Sequence, residues 1–168
     1  MSYDSHFQLA DEIVAHLTPI VSGITDPFIS SRYVGFVAVS SVTVYELAIK
    51  EIFITFATKK NKILGTFTES FFERINGRIK IRDLRDSYIT RFGDKYLSRF
   101  TKALEIVEQS SLKTHGVSIC SRYGNLITCR HEFAHEGKIS TNMTFNEIVE
   151  SYNSGKEVIH CLARCMRM

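Results

Sequence analysis

The chain has 168 residues, 44% of them hydrophobic, which suits one domain over residues 1–168 with a real core. Nine glycines, two prolines and no low-complexity run exclude a fibrous or disordered chain. A formal net charge of +3 excludes a global basic field as the means of meeting nucleic acid, and leaves only a local one open.

Apolar residues at Phe7, Leu9, Ile13, Val14 and Leu17 fit one helical face and predict a first helix over about 3–17. Pro19, Gly23 and Pro27 punctuate the link that follows. Ser30 or Ser31 can then cap a long second helix to about Lys60. Its stretch "FVAVSSVTVYELAIKEIFITFA" is partly β-branched, but a run this long without a turn residue exceeds an ordinary strand. Glu46, Lys50 and Glu51 interrupt the apolar run from Val34 to Ala57, so it reads as a buried helix and no membrane span is expected. A third helix covers about 63–75 and stops near Asn76-Gly77. "IRDLRDSYITRF" predicts a short helix ending at Gly93, and Asp94 can cap the next, which runs to near Gly116. Ser118 opens a helix with Gly137 at its C-terminal cap position. Thr144 and Glu147 form a capping box for the last, to about Arg167. The expected fold is all-α: a bundle of six or seven helices with no strand and no internal repeat.

The four cysteines, Cys120, Cys129, Cys161 and Cys165, form no C-x-x-C pair. With no leader-like segment in the sequence they read as reduced thiols of a cytoplasmic protein, Cys161 and Cys165 as buried neighbours on one helix face rather than a zinc site.

Charge is unevenly spread. Between residues 74 and 102 lie nine basic residues, Arg74, Arg78, Lys80, Arg82, Arg85, Arg91, Lys95, Arg99 and Lys102, against Asp83, Asp86 and Asp94. That leaves +6 locally and −3 for the remainder. Such a segment can hold phosphates, and Arg78, Arg82 and Arg85 are its candidate RNA contacts; a merely solvated face is the alternative. Tyr88, Phe92, Tyr96 and Phe100 recur every four residues and read as core anchors rather than base-stacking platforms.

The stretch "CRHEFAHEGK" has two spellings. H-E-x-x-H puts His131 and His135 on one helix face as zinc ligands with Glu132 as general base, and needs a third ligand such as Glu147, Glu150 or Glu157. It also needs a strand to align substrate, and none is predicted. R-x4-H needs less, because RNA carries its own nucleophile, the 2′-OH. Cleavage then requires a proton acceptor, a proton donor for the leaving 5′ oxygen and a cation for the phosphorane charge. His135 suits proton transfer and Arg130 suits phosphate oxygens. Five residues place these two about 140° apart on an ideal helix, so a long arginine side chain or a loosened last turn must bring them together. A two-fold dimer would double the set at one phosphate.

"NLITCRHEFAHEG", on the penultimate helix of an all-α chain, resembles the motif region of the HEPN superfamily (higher eukaryotes and prokaryotes nucleotide-binding). "IRDLRDSYITRFGDKYLSRF" is similar to stand-alone prokaryotic members related to those fused to RNA-repair enzymes. The resemblance implies a homodimeric, metal-independent endoribonuclease with no cofactor, Arg130 and His135 as its catalytic pair, and 2′,3′-cyclic phosphate and 5′-OH products. It further implies a toxin or phage-defence setting with a possible cognate antitoxin protein. The family often has Asn after the Arg, where this chain has His131, which reads as a supporting or phosphate-contacting residue. Glu46 either orients Arg130 or pairs with Lys50, and the local pair is the simpler expectation. Asn125 is a candidate RNA contact. Two alternatives stand beside this reading: a non-catalytic HEPN-like module that binds RNA or dimerises, and the zinc protease.

Overall fold

The computed structural model describes residues 2–73, 75, 77–138 and 142–167. Among them there is no strand. Six α-helices carry the fold: α1 (Phe7–Ser22), α2 (Pro27–Lys60), α3 (Lys62–Phe72), α4 (Asp94–His115), α5 (Ile119–Glu136) and α6 (Phe145–Cys165). A 3₁₀ turn (Tyr3–His6) precedes α1. A π-helical turn (Asp83–Tyr88) and a 3₁₀ turn (Ile89–Phe92) lie between α3 and α4, where the sequence predicts a short α-helix. No helix among the described residues is long and apolar enough to cross a membrane.

The helix ends follow local chemistry. The Ser118 hydroxyl accepts from the Ser121 N–H at 3.0 Å, Thr144 and Glu147 close the expected capping box, and Gly137 ends α5 in the left-handed region at φ 63°. Three expectations are corrected. The second helix is capped not by Ser30 or Ser31 but by Asp26, whose carboxylate accepts from the Phe28 N–H at 2.8 Å, with Pro27 as the first helical residue. Proline lacks the N–H that this position leaves unpaired in any case. Pro19 does not end α1 but lies inside it, and the helix continues to Ser22. Asp94 is not a cap but the first residue of α4, behind Gly93 at φ 111°. The expected stop at Asn76-Gly77 falls partly outside the described residues, as does Arg74.

Helix α2 is the axis, packed against α1, α3, α5 and α6, and α4 lies on α6. One core cluster runs from Phe7 to Met166. At its centre Tyr45 of α2 is stacked between Tyr123 of α5 and Tyr152 of α6, each ring pair 5.8 Å apart. All three hydroxyls are paired: Tyr45 donates to the Tyr152 carbonyl, Tyr152 to the Asp11 carboxylate at 2.8 Å, and Tyr123 to the Ile79 carbonyl at 2.7 Å. Unpaired, each would cost free energy in this interior. A second aromatic cluster stacks Phe53 between Phe72 at 4.7 Å and Phe92 at 5.3 Å. Phe100 is buried, and Tyr88, Phe92 and Tyr96 pack on the core, as their spacing leads one to expect.

All four thiols are held up by burial: Cys120 and Cys129 to about 11, Cys165 to about 12, and Cys161 in the same direction.

Gly155 of α6 lies against the tyrosine stack. A Cβ there would meet the Tyr45 hydroxyl at 2.6 Å and the Tyr123 ring at 3.2 Å. Gly155→Ala is expected to destabilise the fold by about 1–3 kcal/mol through overpacking, despite alanine's better helix propensity. Gly23→Ala, which meets only ordinary contact at 3.6 Å, is expected to fall within about 0.5 kcal/mol of wild type. Urea unfolding of the two variants is the measurement.

Candidate active site

Helix α5 carries the R-x4-H stretch in its last two turns. In the final turn the Gly137 N–H reaches back five residues to the Glu132 carbonyl, and the Lys138 N–H bonds the same oxygen at 3.1 Å. These bonds close the left-handed cap beyond the helix, so the long arginine side chain alone spans the distance to His135. Arg130 Nη1 lies 2.8 Å from His135 Nε2. A guanidinium only donates, so in this arrangement the imidazole nitrogen accepts and its proton is on Nδ1.

The other side of the guanidinium is fixed by two neighbours. Arg130 Nη2 is 3.9 Å from Glu46 Oε1, both side chains being largely buried. Gly77 lies against the guanidinium with φ 80°, and a Cβ there would meet Arg130 Nη1 at 2.9 Å. Only glycine suits both the conformation and the approach. The local pair of Glu46 with Lys50 is not what forms. Lys50 gives its ammonium to the Glu73 carbonyl at 3.3 Å, and Glu46 turns to the arginine instead. Burial raises the Glu46 carboxyl above its ordinary value of 4.5, with Arg130, Lys50 and the Gly77 N–H pulling back.

Arg130, His131 and His135 line a groove of about 770 Å³ whose opposite wall is the segment after α3. From that segment come Arg78, Lys80, Arg82 and Arg91, with Asp83 as the lone carboxylate of the lining. Two tyrosine hydroxyls hold the segment in place: Tyr88 donates to the Arg78 carbonyl and Tyr123 to the Ile79 carbonyl, both at 2.7 Å. The basic groove residues and the motif, separated in sequence by the whole of α4, thus face one space.

Of the residues singled out by sequence, Arg130, His135, His131, Arg78 and Arg82 are brought to this groove, and Glu46 stands behind Arg130. Arg85 and Asn125 are not among its lining. Arg85 is half-buried on the π turn, and Asn125 is exposed elsewhere on α5. The His131 ring is 5.0 Å from that of His135, and its Nε2 is 3.7 Å from Glu136 Oε1. Sequence reasoning places Lys80 and Arg91 in the basic segment without singling them out as contacts, and misses Gly77 as the guanidinium's bed, for which the asparagine-glycine pair reads simply as a turn.

The zinc arrangement lacks a third ligand. Glu147 is engaged by Thr144, Glu150 by Arg122 at 2.6 Å, and Glu157 by Arg164 at 3.5 Å. Among the described residues no three His, Cys, Asp or Glu side chains are grouped to hold a metal ion. What the groove offers is four cations with an arginine-histidine pair, a set suited to phosphate and proton transfer.

Comparison with curated proteins and with solved structures gives no match. The sequence model of the RiboL-PSP-HEPN family matches residues 5–167, a span that takes in all six α-helices and the whole groove. The chain belongs to the RiboL-PSP-HEPN family, and through it to the HEPN superfamily.

Proposed function

We propose that the protein is a metal-independent endoribonuclease that cuts RNA by attack of a 2′-OH on its own phosphate. The observation that carries this reading is the Arg130–His135 hydrogen bond in the wall of a groove lined by four further cations. An entering phosphate competes for the guanidinium's donors, because a charge-assisted bond to an anion is stronger than one to a neutral imidazole. As Arg130 turns to the phosphate, the Nε2 lone pair of His135 is freed to take the 2′-OH proton. The 2′ oxygen attacks phosphorus, Arg130 steadies the charge on the phosphorane, and the 5′ oxygen leaves with a proton. His131, or the His135 of a second copy, supplies that proton. The products are a 2′,3′-cyclic phosphate and a 5′-OH. Glu46 acts through Arg130 as a positioning residue.

The working unit in this reading is a homodimer with the motif ends of α5 apposed. Exposed Ser121, Asn125 and Thr128 on that helix keep side chains short enough for a close approach. The setting is a cytoplasmic toxin or phage-defence effector whose partners are RNA and a cognate inhibitor protein.

The direct test is cleavage of a single-stranded RNA. His135→Ala and Arg130→Ala are each expected to lower the rate by roughly a hundredfold or more, and chelation to leave it unchanged. Glu132→Gln, which removes the general base of a zinc enzyme, is expected to keep most of the activity; its loss together with bound zinc would overturn the reading. Sedimentation is expected to give a dimer.

Reversing Arg78 and Arg82 to Glu is expected to weaken RNA binding and to flatten its salt dependence by about one unit of slope for each phosphate no longer held. Arg85→Glu is expected to do markedly less. Equal effects at all three would make the segment a diffuse field rather than one wall of a site.

Glu46 gives a pH signature. Its folded carboxyl is raised above the ordinary 4.5, so the stability it contributes is complete below 4.5 and is lost as pH rises through the higher folded value. Glu46→Gln removes that titration. The variant is expected to gain on wild type in urea unfolding as pH climbs from 4.5 toward neutrality, while its RNA cleavage falls about tenfold. A variant that loses ground over that range would show that attraction to Arg130 outweighs burial.

A further inference from the structure

Beside the basic groove lies a second, apolar one of about 320 Å³. The two share Phe71, Phe72 and Arg91, so the partition between them is these three side chains, with the Arg91 guanidinium 4.7 Å above the Phe71 ring. Arg91 is fixed there by a 2.7 Å bond from its Nε to the Ser87 carbonyl. Past this pair the wall is aromatic and aliphatic: Leu64 and Phe67 from α3, Phe56 from α2, Phe92 and Tyr96 from the other side. Phe67 is 69% exposed and has no ring or cation stacked on it among the described residues, so its face is open. The charges at the border have one sign. Lys60 and Arg91 belong to the lining, no carboxylate does, and Arg99 lies 6.0 Å from the Tyr96 ring.

We propose that this apolar groove is a nucleobase subsite, taking one unpaired base of an RNA strand whose neighbouring phosphate lies in the basic groove. Three observations select this occupant. A flat apolar slot with an open phenyl face suits a planar π system. Cations without acids around it complement a ligand that is anionic next to its ring. Continuity with the basic groove across three shared side chains lets one strand occupy both. The rim is ill-suited to a lysine-rich or purely aliphatic partner. The strand must be single in this stretch, since a base paired in a duplex keeps its face covered. A purine, with the larger face, is expected to bind better than a pyrimidine.

The proposal rests on the ribonuclease reading for its ligand, RNA, and not for catalysis, so it is tested by binding alone. The probe is a short single-stranded 2′-O-methyl RNA, which has no free 2′-OH to attack. One 2-aminopurine, or one abasic residue, is moved along it position by position. The chain has no tryptophan, so 2-aminopurine emission is read without a competing indole. Wild type is expected to quench the probe at one position, and an abasic residue at that position to weaken binding roughly tenfold or more. Phe67→Ala is expected to abolish the quench and to weaken binding of the intact strand by a similar factor. It should then bind the abasic strand no worse than wild type does. Phe67→Tyr is expected to restore both. At 69% exposure the alanine variant leaves the core untouched. Persistent quenching in Phe67→Ala, effects that simply multiply, or no binding of the oligonucleotide by wild type would each overturn the subsite. So would Phe67→Ala leaving RNA affinity intact while weakening self-association in sedimentation, which would make the face a contact between copies. His135→Ala cleavage assays are independent of all these outcomes, so the ribonuclease reading and the subsite can fail separately.

Discussion

Three helices meet in this fold through one stack of phenol rings. Tyr45 lies between Tyr123 and Tyr152, and the approach is close enough that position 155 has to be glycine. The stack brings α2, α5 and α6 to their mutual distance. It also reaches outward: the Tyr123 hydroxyl holds the Ile79 carbonyl, and so the segment that supplies Gly77, Arg78 and Lys80 to the groove. A buried hydroxyl without a partner is costly, so this anchor is strongly selected by the interior itself. The position of the basic wall is therefore a product of core packing and not of any attraction between its own charges, which repel one another.

The motif arginine is held by the same logic. Its guanidinium has a half-buried carboxylate on one side, an imidazole on another and a bare backbone beneath. Burying Glu46 beside it opposes folding, as the raised carboxyl records, yet the carboxylate gives the guanidinium a fixed direction. A buried carboxylate oxygen left without a hydrogen-bond partner, beside an arginine it faces at 3.9 Å, is the usual mark of a site shaped by something other than stability.

Much of this was legible in the sequence, and what was not has physical reasons. Helix existence followed from apolar periodicity, and the ends at Ser118, Gly137 and Thr144 followed from side chains that satisfy terminal N–H and C=O groups. Pro27 reads as link punctuation in the sequence but is the first residue of α2, because proline suits a turn and a helix N-terminus alike. The π turn at Asp83–Tyr88 has no sequence period of its own. Arg130 and His135 were visible as a pair, but their meeting was not, since an ideal helix separates them. The Glu46 choice between Lys50 and Arg130 goes to the distant partner because Lys50 meets a carbonyl at the C-terminal end of α3. Gly77 could not be ranked above any other turn glycine, because what distinguishes it is the side chain that lies on it.

The four thiols, three buried and Cys120 half-buried, set one further property of the molecule. With values near 11 to 12 for three of them, only about one thiol in ten thousand or fewer is a thiolate at neutral pH. Peroxide, alkylating reagents and disulfide exchange all act on the thiolate, so burial slows all three at these thiols without the chain having dispensed with cysteine. New cysteines placed on the surface of the basic groove would react ahead of the native four, leaving these as a slow background for labels that report on what approaches it.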